Sequence, residues 1–282
     1  MKLVTINTHS LIEENYSQKL ELFVDFICRE KPDIITMQEV NQSTCSPIYK
    51  NPLPGFSPIS DKLPSIREDN HALQAALRLF AKGVCYYWTW LPVKLGYGKY
   101  DEGMAIFSKE PITDIDHFYI SVFEDYQYWK TRQILGIKTA NLEDWFYTVH
   151  MGWWDDAEDP FENQWKRFLK HLQKPSPSSK IWLLGDFNSP AEVRTEGYDL
   201  IESSGFFDTY KLAYKKDEGM TVKGVIDGWR DKLNNPDAFS GMRIDHIWCN
   251  QKTAVRTSSV IFNGTREPVI SDHFGIMIET ED

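Results

Sequence analysis

Short apolar runs that break into polar side chains recur along this chain, and they restrict the folds open to it. The clearest lies in Lys180-Ile-Trp-Leu-Leu-Gly-Asp-Phe-Asn-Ser-Pro190. Ile181 to Leu184 is continuous and apolar, the pattern of a strand buried on both faces. Gly185 ends it, and Pro190 blocks ladder pairing soon after. Asp186 and Asn188 sit two residues apart between them, so an extended backbone would present both on one face. On its own the stretch also reads as a polar turn, because Gly, Asp, Asn, Ser and Pro are common turn residues. Three further strand ends of the same kind favour a site.

Leu3 to Ile6 reads as a core strand ending on Asn7. Tyr16 to Arg29 has helical spacing at Leu20, Phe23, Val24 and Ile27. Ile34 to Met37 is expected to be a second core strand, leaving on Gln38 and Glu39. Glu39 also reads as an ordinary helix-start carboxylate. Residues 41–70, with five prolines, are expected to form a long loop, and Asn70 to cap a helix through Leu73, Leu77 and Phe80. Strands are expected at Cys85 to Leu91 and Met104 to Ser108, with a glycine-rich loop from Gly96 to Gly103 between them. Phe118 to Val122, Arg132 to Lys138 and Asp144 to Val149 read as strands, the last ending on His150. Phe161 to Leu172 and Gly197 to Ser204 have helical spacing, and Pro175 to Ser179 reads as a linker. Met242 to Trp248 reads as a strand with Asp245 buried in its middle, where a carboxylate needs a partner. Val255 to Phe262 and Phe274 to Ile278 follow, with Ser271-Asp272-His273 at the fourth strand end. Strands alternate with helices in both halves without a composition break, so two packed sheets in one domain over 1–282 are expected.

Composition narrows the partners. Lys plus Arg number 31 against 41 Asp plus Glu, a formal net charge of −10, with no basic tail. Gripping a nucleic-acid backbone normally takes a Lys/Arg surface, so the balance favours a small anionic ligand and argues against nucleic acid. Cys28, Cys45, Cys85 and Cys249 form no C-x-x-C pair, which argues against a zinc or disulfide framework. Met1 to Asn7 does not read as a signal peptide and no run approaches membrane-spanning length, so a cytoplasmic monomer is expected.

The polar strand ends make a chemical set. Glu39 and Asp272 are hard oxygen ligands suited to Mg²⁺ or Mn²⁺. Asn7 and Asn188 can donate to phosphate oxygens without adding charge. His150 and His273 can donate as imidazolium, and Asp245 is the best candidate to hold the tautomer of His273 and raise its pKa. Asp186 would orient or deprotonate a water for in-line attack on phosphorus.

Thr5-Ile-Asn7, Met37-Gln-Glu39, Glu102-Gly-Met-Ala-Ile-Phe-Ser108, Thr148-Val-His150, Gly185-Asp-Phe-Asn188, Arg243-Ile-Asp245 and Ser271-Asp-His273 together resemble the endonuclease/exonuclease/phosphatase superfamily with the deoxyribonuclease I-like fold. The resemblance spans nearly the whole chain. It implies an α/β four-layer sandwich, with two mixed β-sheets face to face and helices outside. It also implies metal at Glu39 with Asp272 and Asn7 nearby, Asp186 and Asn188 at nucleophile and phosphate, His150 on the phosphate, an Asp245–His273 pair, and Arg132 as a basic residue opposite. Superfamily members cut DNA, RNA tails, phosphoinositides, sphingomyelin and sugar phosphates. Within it, the chain is similar to compact bacterial maltose 6′-phosphate phosphatases, whose first strand likewise runs into Asn-Thr-His-Ser. Trp88, Trp90, Trp153 and Trp154 in or beside expected loops suit a carbohydrate, though core packing is the commoner use of Trp. Trp153 and Trp154 are taken as substrate contacts, and residues 41–70, 86–102, 151–162 and 211–242 as the rim. The expected activity is Mg²⁺-dependent hydrolysis of a sugar phosphate monoester, with a DNA-repair-type nuclease or other phosphodiesterase as the alternative.

Overall fold

A computed structural model describes residues 1–172, 179–226, 229 and 240–281. Its elements are β1 (Lys2–Asn7), α1 (Tyr16–Glu30), β2 (Ile34–Ser43), α2 (His71–Ala81), β3 (Tyr87–Gly96), β4 (Tyr100–Ser108), β5 (Ile112–Tyr119), β6 (Gln133–Thr139) and β7 (Leu142–His150), followed by α3 (Phe161–Leu172), β8 (Ile181–Asp186), α4 (Gly197–Ser203), β9 (Phe207–Asp208), α5 (Thr209–Leu212), β10 (Ala213–Lys216), β11 (Asp245–Cys249), β12 (Val255–Ile261) and β13 (Gly275–Thr280). One sheet has the order β10-β12-β13-β1-β2-β4-β3 and the other β5-β6-β7-β8-β11-β9, and each mixes parallel and antiparallel pairs.

Alternation along each strand assigns its side chains to layers. In β1, Val4 and Ile6 pack with Leu20, Phe23 and Val24 of α1, while Leu3 faces the other sheet. In β8, Ile181 and Leu183 pack with Phe161, Trp165 and Phe168 of α3, while Trp182 and Leu184 face inward. The inter-sheet core joins Leu3, Ile34, Leu91 and Ile106 to Leu135, Phe146, Trp182 and Ile247. Helix, sheet, sheet and helix therefore form the expected four layers. The same parity carries Asn7 and Asp186 to the inward face at their strand ends. Asn70 caps α2 by accepting from the Leu73 amide at 3.0 Å.

Several expectations shift. β2 does not end at Met37 but runs to Ser43, with Glu39 inside it. Gly96 to Gly103 is mostly strand, with only a tight turn between β3 and β4. β11 begins at Asp245 rather than enclosing it. Trp88 and Trp90 belong to the helix-side core, 0% and 3% exposed. The expected linker at 175–178 and much of 227–239 lie outside the described residues. Among the described residues no helix is long and apolar enough to cross a membrane.

Gly185 is needed where β7 and β8 run in parallel. Its φ is +147°, and a Cβ there would strike the Val149 carbonyl oxygen and crowd Gln38. Gly185→Ala is expected to destabilise the fold by about 2–4 kcal/mol. Urea unfolding checks this, and a midpoint equal to that of the wild type would contradict it.

Candidate active site

Three neighbouring strands deliver one row of side chains. Asp186 on β8 pairs in register with His150 on β7 and with Asp245 on β11. The facing sheet delivers a second row from β1, β2, β4 and β3. Its first member, Asn7, reaches across the gap: Nδ2 donates to Glu39 Oε1 at 2.9 Å and to Asp186 Oδ2 at 3.2 Å. Gln38 ties the sheets beside it, donating to Thr148 Oγ1 at 2.8 Å.

Two β-bulges recruit residues that strict alternation would turn away. Met37 pairs with Ala105, but Val40 pairs with Gly103, so β2 carries one extra residue here. Glu39 takes the strain, with φ +53°. Met37 and Val40 both pack in the helix-side core, which leaves Gln38 and Glu39 together on the inward side. β3 repeats the device between Pro92 and Lys94, bringing Lys94 opposite Glu102. Lys94 Nζ lies 3.1 Å from Glu102 Oε1, with both side chains buried. Burial first, and Arg132 next, lower the Lys94 pKa against the pull of Glu102 and Glu39.

The ends of these rows meet at a cavity of about 330 Å³, whose wall Asn7 and Gln38 support without lining it. Glu39, Arg132, His150, Trp153, Asp186, Asn188, Asp272 and His273 all contribute to its wall. Asp245 stands behind His273, its Oδ2 3.0 Å from His273 Nδ1. Arg132 is buried and held by its own loop, Nη1 donating to the Trp129 carbonyl at 3.1 Å. Trp154 does not line the cavity; it packs with the α3 core, 6.4 Å from the Phe161 ring. None of residues 41–70 lines it either, because Ser65 and Arg67 are tied to Gln42 of β2 instead. Lys94, Tyr97, Glu102 and Ile226 also line the wall, inside the rim segments expected at 86–102 and 211–242 but not singled out there, and His9 and Trp129 line it without any such expectation. Trp229 was likewise missed: its Nε1 donates to Asn188 Oδ1 at 3.0 Å, while Asn188 Nδ2 donates to the Met151 carbonyl at 3.0 Å. The Asn188 backbone also donates to Asp186 Oδ1 at 2.8 Å, so the Asp-Phe-Asn turn is fixed at both ends.

The electrostatics separate the two histidines. Burial alone would lower the pKa of His273, but Asp245 and Asp186 outweigh it and hold the ring protonated. His150 goes the other way. Burial, Arg132, Lys94 and His273 all depress it well below the ordinary value, so it is a neutral imidazole rather than the imidazolium expected from sequence. Its Nε2 lies 3.7 Å from Asp186 Oδ2 and 4.0 Å from Glu39 Oε1. Asp186 is pushed up to about 7 by burial, with Asp245 adding to the shift and His273 opposing it. Glu39 is raised by burial and by the like charges of Glu102 and Asp272.

That crowding is what a divalent cation would relieve. Two carboxylates 4–6 Å apart repel by roughly 3–4 kcal/mol at an effective dielectric of about 20. Glu39 and Asp272 carry hard oxygen donors of the kind that Mg²⁺ or Mn²⁺ takes, while the Asn7 amide turns its nitrogen to Glu39 and its oxygen accepts from the His9 amide at 3.3 Å. Asp272 also lies beside His9, whose Nδ1 is 2.8 Å from Glu13 Oε1 and 3.8 Å from Asp272 Oδ1. Glu13, Asp272 and Glu39 raise His9 to about 9 against the opposing effect of burial.

The sequence profile of the Endonuclease/Exonuclease/phosphatase family matches residues 4–273. The chain belongs to that family. Its members hydrolyse phosphoester bonds, and the chain is an enzyme of that class. An endonuclease/exonuclease/phosphatase family protein from Leptotrichia buccalis C-1013-b is 31% identical over 100% of both chains, with a TM-score of 0.84. A mannosyl-6-phosphatase from Bacteroides thetaiotaomicron VPI-5482 is 17% identical, also over 100% of both chains, with a TM-score of 0.65. A 3′ phosphatase from Neisseria, solved with product DNA hairpin, is 19% identical over the same full coverage, with a TM-score of 0.61. These last two share the fold. No curated protein sequence matches the chain.

The family site rests on a buried polar brace. Arg243 Nη2 donates to Asp208 Oδ2 at 2.8 Å and Nη1 to His246 Nδ1 at 3.0 Å. His246 Nε2 then donates to the Ser189 carbonyl at 3.0 Å, directly after the Asp-Phe-Asn turn. Burial, reinforced by Arg243, lowers His246 to about 3. The folded-state pKa is below the unfolded value of about 6.5, so the unfolded chain takes up this proton first as pH falls. The stabilising contribution is whole above about 6.5 and is lost toward 3. The stability gap between wild type and His246→Gln is therefore expected to narrow between pH 7 and pH 4.5. Urea unfolding at both pH values measures it, and a gap that stays constant or widens would contradict this account.

Proposed function

We propose that the chain is a Mg²⁺- or Mn²⁺-dependent phosphomonoesterase acting on a sugar phosphate, most simply a phosphorylated disaccharide such as maltose 6′-phosphate. The observation that carries the reading is where the cations lie. Among the described residues, Lys94 and Arg132 are the two Lys/Arg side chains in the cavity wall, and both are buried, 6% and 5% exposed. A pair of cations deep in a closed-in wall suits a terminal phosphate dianion. It does not form the surface track of positive charge that a polymer backbone needs, and the net charge of −10 adds none. The wall above carries Tyr97, Trp129 and Trp153, a suitable border for a neutral, ring-shaped leaving group.

In this reading Glu39, Asn7 and Asp272 hold the ion. When bound, it would polarise the phosphoryl oxygens and offset the carboxylate charge. Lys94, Arg132 and the free amide hydrogen of Asn188 orient the phosphate. Asp186, poised near neutral pH, takes a proton from a water as that water attacks phosphorus in line with the ester oxygen. The new P–O bond forms as the P–O bond to the sugar breaks, and the departing oxygen takes a proton from solvent water, giving inorganic phosphate and a free sugar hydroxyl. The His273 imidazolium, held by Asp245, donates to oxygen where negative charge builds up.

Phosphate release is measured with Mg²⁺ from maltose 6′-phosphate, trehalose 6-phosphate and glucose 6-phosphate, with an abasic DNA duplex scored for nicking. Rapid release from a sugar phosphate is expected, falling about 10²–10⁴-fold in kcat for Asp186→Asn. Nicking of DNA without release from any sugar phosphate would overturn the proposal. Chelation with EDTA is expected to abolish turnover, and Mg²⁺ or Mn²⁺ to restore it. Full activity retained in EDTA would contradict the metal assignment.

A further inference from the structure

We propose that Tyr97 and Trp129 form a subsite for the sugar ring distal to the phosphate, and so select disaccharide over monosaccharide phosphates. The inference rests on the sugar-phosphate reading and names its specificity residues. Both side chains line the same cavity as Asp186 and His273, yet they are 54% and 50% exposed. A large aromatic surface left half in water beside a reaction site suits a ligand that covers it.

Tyr97 adds a second, independent observation. It occupies the first central position of the β-turn over 96–99 in the three-residue connection between β3 and β4, closed by Lys99 N donating to the Gly96 carbonyl at 3.1 Å. Tyr97 has φ +51° and Gly98 φ +66°. Turns with two left-handed central residues favour Asn-Gly or Gly-Gly. A bulky aromatic at the first position is strained, and strain of this kind collects at ligand clamps.

The rim that carries the two rings is braced rather than loose. Leu95 N donates to the Tyr126 carbonyl at 2.7 Å, and the Tyr126 hydroxyl to Asp101 Oδ1 at 2.8 Å, joining the β3–β4 hairpin to the loop before β6. Lys130 Nζ lies 2.8 Å from Asp156 Oδ2 and 5.3 Å from the Trp129 ring centroid, and Tyr128 bonds Glu158, which ties in the loop after β7. Trp129 and Trp153 stand 6.0 Å apart at 55°. The Trp129 carbonyl accepts from Arg132, so the ring platform and the phosphate-facing guanidinium share one anchor. A preformed platform loses little freedom when it binds. Asp156 and Glu158 on this rim would repel a polyanion but not the uncharged ring of a sugar.

The test compares kcat/KM for maltose 6′-phosphate and glucose 6-phosphate in wild type, Tyr97→Asn and Trp129→Ala. Asn fits the left-handed turn, so Tyr97→Asn keeps the fold while removing the ring, and its urea midpoint is expected to match or exceed that of the wild type. Each variant is expected to lower the disaccharide-to-monosaccharide ratio of kcat/KM about tenfold, mainly through KM for the disaccharide. A wild type active on the disaccharide phosphate with variants of unchanged ratio would overturn the subsite alone. A wild type that releases phosphate from neither compound would overturn the sugar-phosphate reading and the subsite with it.

Discussion

Negative charge gathered between two sheets is the constraint on which this structure turns. Glu39, Glu102, Asp186 and Asp272 line one cavity, and Asp245 stands just behind it. Against them the wall sets the buried cations Lys94 and Arg132 and the protonated His273 and His9. Burial first, and the like charges of Glu102 and Asp272 next, raise the Glu39 pKa, so its charged form is costly in the cavity without a further cation. A divalent cation and a phosphate dianion arriving together would complete the balance, which is why such an arrangement suits hydrolysis of a phosphoester.

The fold creates this arrangement by counting residues. Alternation sends Asn7 and Asp186 inward at the ends of β1 and β8, and one extra residue each in β2 and β3 adds Glu39 and Lys94. Cross-links then fix the rows. Gln38 reaches Thr148 in the opposite sheet, Asn7 bonds Glu39 and Asp186 together, and Ser271 Oγ holds the Asn7 carbonyl at 2.8 Å. Behind the Asp-Phe-Asn turn, the Asp208–Arg243–His246 brace holds the Ser189 carbonyl. Breaking a buried ion pair of this kind typically costs about 3–5 kcal/mol, so the turn cannot drift cheaply from its place.

Most strands and helices were legible in the sequence because their signals are local; β5, expected at Phe118 to Val122, instead spans Ile112–Tyr119, and the short β9, α5 and β10 gave no signal. α3 matches the helical spacing from Phe161 to Leu172, and the inward parity of Asp186 follows from Ile181 to Leu184. The convergence of strand ends was legible only as a repeated pattern, and the order of the motifs supplied the fold. What stayed hidden depends on register. A bulge leaves no mark in one strand's sequence, so Lys94 stood only within an expected rim segment and Glu39 looked like a strand exit. Glu102 sat inside a recognised motif with no partner to give it meaning until Lys94 came opposite. Trp153 and Trp154 are adjacent, yet one lines the cavity and the other joins the α3 core, a difference that composition cannot carry. The neutral state of His150 likewise follows from Arg132 and Lys94, which lie far from it in sequence.

The most direct test of the central claim is anomalous diffraction from crystals soaked in Mn²⁺. The account predicts a peak in the cavity within about 2–2.5 Å of the Glu39 carboxylate, with Asn7 and Asp272 beside it. An ion bound only at His9 and Glu13, or a cavity that stays free of Mn²⁺ at millimolar concentration, would contradict it.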